Sequence, residues 1–133
     1  SMGDHCEKMA REWQISREAQ DLLALGSHHK LAAAYDANFF EDLLVPFRGL
    51  KRDGFLRPDS TLEKLASLKP AFDKRSGKGT LTAGNATGWA DGAAAVLLGS
   101  DEGAAKRGLK VQAYFRDAEV AAVDFVHGEG LLM

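Results

Sequence analysis

The feature that most constrains this chain is an uninterrupted apolar run, residues 93–98, in which alanines are followed by Val96, Leu97 and Leu98. A half-exposed strand would alternate polar with apolar residues, so continuous apolarity favours a strand buried on both faces. The alanines would let a helix or another backbone approach closely. The run therefore predicts a strand inside a sheet that is covered by helices, which is an α/β arrangement.

The residues after this run complete a strand–helix–strand unit. Ser100 is a good N-cap for a short helix, and Gly108 suits the left-handed position that closes it. Residues 110–116 alternate apolar with polar side chains, which predicts a second strand. If the two strands are parallel, their crossover should be right-handed. Two strands are too few to be stable alone, so we expect this unit to belong to a larger sheet.

The first half of the chain predicts helices and loops, which makes the isolated segment an α+β one. A helix is expected over residues 6–14, and a second helix from the N-cap Ser16 to about Tyr35. The apolar side of this second helix would carry Ala19, Leu22, Leu23, Gly26 and Ala33.

Residues 39–48 contain Pro46, which predicts an extended or edge segment. Ser60 and Glu63 match a capping box, which predicts a short helix over residues 61–68. The composition shifts near residue 74. We therefore divide the chain into a helix-and-loop part, 1–74, and a sheet-core part, 75–133.

Composition excludes several classes of protein. The chain has 133 residues and a formal net charge of −2, which argues against binding to nucleic acid or to a membrane surface by bulk electrostatics. No apolar stretch is long enough to span a bilayer, and no signal peptide opens the sequence. The one cysteine, Cys6, excludes an internal disulfide and fits a reducing, cytoplasmic compartment.

Several blocks of sequence, in the same order, resemble the thiolase family. The most specific is Gly-Thr-Leu-Thr-Ala-Gly-Asn-Ala-Thr-Gly at 79–88, followed by Asp-Gly-Ala-Ala-Ala at 91–95. Other matching blocks are Met-Gly at 2–3, Ile-Ser-Arg-Glu-Ala-Gln-Asp at 15–21, Pro-Phe at 46–47 and Ser-Leu-Lys-Pro-Ala-Phe at 67–72. Residues 56–58 and 113–117 are similar to the branch that contains the fatty-acid-oxidation 3-ketoacyl-CoA thiolases.

This resemblance implies an acyltransferase that acts on CoA thioesters. Such enzymes cleave 3-ketoacyl-CoA with CoA, or run the reverse Claisen condensation, with CoA and acyl-CoA as substrates and no separate cofactor. The family fold stacks two similar α/β halves and inserts a loop domain that covers CoA. Residues 1–74 would be most of that loop domain and residues 75–133 the start of the C-terminal half. The whole protein would be a homodimer or homotetramer, possibly in a fatty-acid-oxidation complex.

The family's catalytic motifs have no match here. Its nucleophilic cysteine is expected before Ser1, and its Asn-Glu-x-Phe, Gly-His-Pro and Cys-x-Gly motifs after Met133. Thiolase chemistry needs a thiolate, a base, a second cysteine and an oxyanion site. We therefore assign no catalytic residue and no metal site to this chain, and expect it to be inactive alone.

The resemblance assigns the CoA side of the site to Met2, Arg57, Leu65, Phe72, Ala83 and Thr87. Arg57 would meet the nucleotide phosphates or stack on adenine. Apolar wall would come from Met2, Leu65 and Phe72, Ala83 would let the pantetheine arm pass, and Thr87 would hydrogen-bond a pantetheine amide. Thr87 replaces a common serine, Trp89 replaces smaller residues, and Lys64 could reach a phosphate.

Other motifs favour ordinary structural roles. Cys6 lies outside the family's cysteine motif, and the adjacent His28 and His29 diverge by about 100° on a helix, which is unsuitable for one metal ion. Residues 77–80 lack the full phosphate-loop pattern, and Asp91 suits a turn or cap. Two rival functions stay open: a non-catalytic module that binds CoA or acyl-CoA, and a segment of a thiolase-like lipid carrier.

Overall fold

The computed structural model describes residues 1–90, 92–122 and 124. The chain divides into two compact units, the first formed by Ser1–Gly88 and the second beginning at Trp89. Within the described residues there are four helices and only isolated β-bridges, so the structure is built mainly of helices and irregular segments.

Helix α1, Met2–Glu12, starts four positions before the expected residue 6. Ser1 is its N-cap: the Ser1 hydroxyl accepts from the Asp4 N–H at 3.3 Å and donates to the Asp4 carboxylate at 2.7 Å. The hydrogen bond that the Ser1 hydroxyl donates is the main cause that lowers the pKa of Asp4. The predicted start at residue 6 is wrong because Ser1 and Asp4 form a capping box that begins the helix earlier.

Helix α2, Arg17–Asp36, confirms the prediction based on Ser16, whose hydroxyl accepts from the Ala19 N–H at 3.1 Å. Its inner face was predicted wrongly. Leu23 is 77% exposed, whereas the buried residue of α2 is Asp21. The physical reason is that α2 packs on its neighbours through hydrogen-bonded polar side chains, described below, rather than through its apolar stripe.

Residues 37–43 form successive turns instead of the extended segment predicted over 39–48. The Phe40 carbonyl accepts from the N–H groups of Leu43 and Leu44, and the Phe40 ring lies 5.0 Å from that of Tyr35. After these turns, Phe47 and Leu50 form an isolated antiparallel bridge across a tight turn at residues 48–49.

Helix α3, Leu62–Ala66, begins one residue later than the capping pattern predicted, and it is shorter than the predicted 61–68. Its N-cap is Thr61, whose hydroxyl accepts from the Lys64 N–H at 3.3 Å. Ser60 does not cap, because its hydroxyl donates to the Arg57 carbonyl at 2.8 Å instead. Beyond α3, an antiparallel bridge joins Pro70 to Thr82.

In the second unit, helix α4, Asp101–Lys106, is capped by Ser100, whose hydroxyl accepts from the Gly103 N–H at 3.1 Å. Gly108 has a φ of +64°, the left-handed geometry that was predicted. A hydrogen bond to the Asp101 carboxylate raises the pKa of Tyr114.

The two strands predicted on either side of α4 are not present: residues 93–98 and 110–116 carry no strand in this structure. Leu97 is 81% exposed, so the apolar run is not covered. A strand requires a neighbour to pair with its backbone N–H and C=O groups. The described residues supply no such neighbour.

Candidate functional site

The core of the candidate site is the segment 79–88, which is fixed to α1 by one buried carboxylate. Glu7 has no exposed surface. Its carboxylate accepts from the Thr80 N–H at 2.9 and 3.0 Å, from the Thr80 hydroxyl at 3.0 Å and from the Leu81 N–H at 2.9 Å. Two adjacent backbone donors and a hydroxyl thus replace the water that this anion would otherwise bind.

A second polar contact fixes the other part of the segment to α2. The Asn85 side-chain amide donates to the Asp21 carboxylate at 2.9 Å and to the Thr80 carbonyl at 3.1 Å. Its oxygen accepts from the Thr82 N–H at 2.7 Å. Asparagine suits this position because one planar group offers both donors and an acceptor.

Asp21 is in turn held by Arg17, whose Nε lies 2.8 Å from the Asp21 carboxylate one helical turn away. The Arg17 guanidinium also donates to the carbonyls of Leu65 at 2.6 Å and Leu68 at 3.2 Å. Arginine can make these contacts together because its guanidinium presents several donors in one rigid plane. The network therefore joins α2 to α3 and to the 79–88 segment.

Within the segment, Thr82 is fully buried and shapes a tight turn. Its hydroxyl accepts from the N–H groups of Gly84 at 3.1 Å and Asn85 at 3.3 Å, while its carbonyl accepts from Ala86 N–H at 3.1 Å. This turn leaves Ala83 exposed at its tip. The backbone of the tip is thus fixed by groups that lie beneath it.

Close packing at three glycines links the segments that carry the predicted CoA residues. The Phe72 ring packs directly on Gly3, the residue after Met2. A Cβ added at Gly84, next to Ala83, would lie only 2.7 Å from the Leu65 side chain.

The third glycine, Gly88, packs on the Phe55 ring, which places Thr87 near the segment that carries Arg57. All three contacts lie in the first compact unit.

The exposure of these residues differs. Met2 is 78% exposed, and Arg57, Ala83 and Thr87 are also exposed, whereas Leu65 is 5% exposed and packs in the core. Phe72 is half-buried. Four of the six side chains are thus on the surface, Phe72 is partly so, and Leu65 supports the segment from within.

Arg57 is the exposed cation of this surface. Its guanidinium donates to the carbonyls of Gly54 at 2.8 Å and Leu56 at 2.9 Å. Among the described residues, no carboxylate lies within the 4.0 Å of a salt bridge to it. The positive charge of Arg57 is therefore not neutralised by an ion pair in the described part of the chain.

Lys64 differs from Arg57 in this respect. Its ammonium lies 2.8 Å from the Asp59 carboxylate, and this contact is the main reason that the pKa of Asp59 is lowered. An anionic ligand would have to compete with Asp59 for Lys64.

The Thr87 hydroxyl donates to the Gly88 carbonyl at 3.1 Å. Trp89 is 97% exposed and belongs to the second unit.

The other residues that the sequence singled out do not form a catalytic or metal-binding group in the described part of the chain. Cys6 is a half-buried free thiol on α1, and Gly77 takes a left-handed turn conformation with a φ of +71°. Asp91 lies outside the described residues. In the ranges that are described, no three His, Cys, Asp or Glu side chains are grouped as metal ligands, and no helix has the length and apolarity to cross a membrane.

The first compact unit also contains two shallow cavities. One, of about 250 Å³, is lined by residues that include Ala10, Ile15 and Thr80, and another, of about 270 Å³, by residues that include Tyr35 and Arg52. Neither is lined by any of the six predicted CoA residues.

Glu7, Arg17, Asp21 and Asn85, which organise this surface, were not identified from the sequence. The spacing of α1 could have indicated Glu7, because Glu7 lies three positions before Ala10 and therefore on the same, buried face of the helix. The signal for Asp21 was its position one helical turn after Arg17.

Residues 1–102 match the family model described as the N-terminal domain of thiolases. The chain therefore belongs to the thiolase family. It is 44% identical over 131 residues to an acetyl-CoA acetyltransferase of Rhizobium meliloti, a match covering 92% of this chain and 33% of the relative. It is 40% identical to a 3-ketoacyl-CoA thiolase of Yersinia enterocolitica, covering 92% of this chain and 29% of the relative.

Solved structures of thiolases also resemble this chain. The Bacillus anthracis acetyl-CoA acetyltransferase superposes with a TM-score of 0.72 at 41% identity, over 83% of this chain and 29% of that one. Human mitochondrial 3-ketoacyl-CoA thiolase in complex with CoA gives 0.58 at 41% identity, over 63% and 21%. The chain thus spans about a third of the length of the curated relatives it matches, and its fold is part of the thiolase fold.

Proposed function

We propose that this chain is a segment of a thiolase-type acyltransferase and that it supplies part of the surface that binds CoA. The reaction would convert 3-ketoacyl-CoA and CoA into acyl-CoA and acetyl-CoA, or run in reverse. The segment would contribute binding residues and no catalytic residue. The whole protein would be a cytoplasmic homodimer or homotetramer, and could act within a fatty-acid-oxidation complex.

The observation that carries this proposal is the rigid presentation of the 79–88 segment. Glu7 and Asn85 fix its backbone from below, so that Ala83 is exposed at a small, preorganised tip. A preorganised surface binds a ligand without having to order a loop first. The missing side chain beyond Cβ at Ala83 would leave room for the pantetheine arm to pass close to the backbone.

The two ends of CoA differ in what they require. The nucleotide end carries phosphates, and Arg57 offers an exposed guanidinium without an ion pair among the described residues. The pantetheine arm carries amides and methylenes, for which Thr87 offers a hydroxyl and Met2 and Phe72 offer apolar surface. Support also comes from one structural relative, the human mitochondrial 3-ketoacyl-CoA thiolase, whose structure is a complex with CoA.

Calorimetric titration with CoA tests the binding role. We expect the chain to bind CoA, and Arg57→Ala to weaken the affinity about tenfold or more, since a hydrogen bond to a charged group is worth roughly 1.5–3 kcal/mol. The matched control is Arg75→Ala, which removes an exposed arginine from the turn at residues 74–77. Equal affinities of the wild type and Arg57→Ala, or no binding at millimolar CoA, would overturn the proposal.

An assay of acetoacetyl-CoA thiolysis tests the assignment of no catalytic residue. We expect no turnover above the rate without protein. Measurable turnover that is lost in Cys6→Ser would show instead that this chain carries a nucleophile.

Binding without turnover is also what a non-catalytic CoA-binding module would show. That second candidate is favoured by one observation: all six predicted CoA residues lie in one compact unit, Ser1–Gly88. The reading frame on both sides of the segment separates the two. A cysteine motif upstream and Gly-His-Pro downstream are expected for the enzyme, and their absence would favour the module.

A further inference from the structure

We infer that His28 is a positioning residue for Arg57, and hence for the nucleotide end of CoA; this inference rests on the proposed function. His28 lies half-buried in the middle of α2, 29 positions before Arg57. Its Nδ1 accepts a hydrogen bond from the Arg57 backbone N–H at 3.3 Å. A side chain of α2 is thereby joined to the backbone of the residue that carries the exposed guanidinium.

The backbone of Arg57 is held on both sides. Its N–H is taken by His28, and its carbonyl accepts from the Ser60 N–H at 3.2 Å and the Ser60 hydroxyl at 2.8 Å. The bond from His28 is the only one of these that comes from outside the 54–60 loop. It joins the loop to α2 at Arg57, while the Asp53 N–H, which donates to the Tyr35 hydroxyl at 2.9 Å, joins the start of the loop to the same helix, and Ser60 sets the local turn.

The chemistry of the bond makes His28 specific for this task. An imidazole that accepts at Nδ1 is neutral and carries its proton on Nε2. The next residue, His29, cannot replace His28 as the acceptor, since His29 is exposed and turned by about 100° from His28. Leucine at position 28 would fill a similar volume and offer no acceptor. Asparagine would place its Oδ1 close to where Nδ1 lies and would accept from the same N–H.

Three variants test the inference: His28→Leu, His28→Asn and the control His29→Leu. The first readout is hydrogen exchange of the Arg57 amide, measured by NMR, and the second is the affinity for CoA. We expect His28→Leu to speed exchange at Arg57 about three- to tenfold and to weaken CoA binding by a similar factor, as loss of one neutral hydrogen bond implies. His28→Asn should restore both readouts, and His29→Leu should change neither.

This order of effects is not what helix stability alone would give, because leucine has a higher helix propensity than asparagine or histidine. Wild-type exchange at Arg57 in His28→Leu, or failure of asparagine to restore it, would overturn the role of His28. A wild-type chain that binds no CoA would overturn the proposed function instead. The two failures are therefore distinguishable.

Discussion

The carboxylate of Glu7 and the backbone of Thr80 are joined by hydrogen bonds of 2.9 and 3.0 Å, although the residues lie 73 positions apart. The Thr80 hydroxyl adds a third bond to the same carboxylate at 3.0 Å. In this family member, a buried anion on the first helix therefore determines the position of the segment that we propose to contact CoA.

Glu7→Gln tests how much this anion contributes. The substituted amide would retain one oxygen and turn an NH₂ group toward backbone donors, so we expect a loss of about 2–3 kcal/mol in the free energy of unfolding. Urea denaturation followed by circular dichroism measures it. Glu12→Gln is the control, since Glu12 forms only an exposed pair with Lys8 at 3.6 Å and should change stability by less than about 0.5 kcal/mol. Equal effects of the two variants would contradict the assignment.

Asn85→Asp tests the second contact with almost no change in shape. It would place a carboxylate oxygen 2.9 Å from the buried carboxylate of Asp21, where an amide now donates. We expect a loss of about 2 kcal/mol in the free energy of unfolding at pH 7, because repulsion between a half-buried carboxylate and the buried Asp21 replaces a hydrogen bond. The exposed Asn38→Asp is the control, and thermal melts of both variants decide. A melting temperature of Asn85→Asp equal to that of the wild type would show that this contact contributes little.

Gly79→Ala and Gly26→Ala are expected to act in opposite directions. A Cβ at Gly79 would lie 2.6 Å from the Phe72 carbonyl oxygen, which is backbone and has little freedom to move, so the variant should be destabilised. A Cβ at Gly26 meets nothing within 4 Å. Alanine in the interior of α2 should therefore raise the free energy of unfolding by about 0.5–1 kcal/mol. Denaturant midpoints of the two variants provide the comparison, and midpoints that shift in the same direction would contradict it.

Asp73 should make the free energy of unfolding depend on pH. The Ser76 hydroxyl, 2.6 Å away, and secondarily the Arg11 guanidinium, at 2.9 Å, hold the pKa of Asp73 below its ordinary 3.8. A carboxyl whose pKa is lowered by folding stabilises the fold above its unfolded pKa, and this contribution is lost as the pH falls through its folded pKa. We therefore expect Asp73→Asn to be less stable than the wild type at pH 7, and the difference to shrink in acid below about pH 4.

Urea midpoints of the wild type and Asp73→Asn at several pH values measure this difference. The control is Asp36→Asn at the end of α2, where the described residues provide no ion pair. A difference between wild type and Asp73→Asn that is constant with pH would contradict the prediction.

Local signals in the sequence correctly predicted where two of the helices begin. Ser16 capped α2 and Ser100 capped α4, because an N-cap depends only on the next few residues. At α3 the same reasoning missed by one residue. Ser60 and Thr61 can both cap, and the Arg57 carbonyl, which decides between them, comes from the preceding loop.

Long-range polar contacts could not be predicted in the same way. The motif at 79–88 identifies the family, but its amino-acid sequence does not indicate that Glu7 and Asp21 hydrogen-bond to it. The strand predicted over 93–98 failed for a related reason: apolarity favours burial, but a strand also needs a partner for its backbone.

The Glu7 contact also fixes an order of events during synthesis. Helix α1 is complete once residue 12 has left the ribosome, but its buried carboxylate has no backbone donors until Thr80 and Leu81 follow. At translation rates of about 5–20 residues per second, that interval lasts about 3–14 s. For those seconds the charged inner face of α1 stays hydrated. Docking of this helix is thus delayed until the family motif itself has been made.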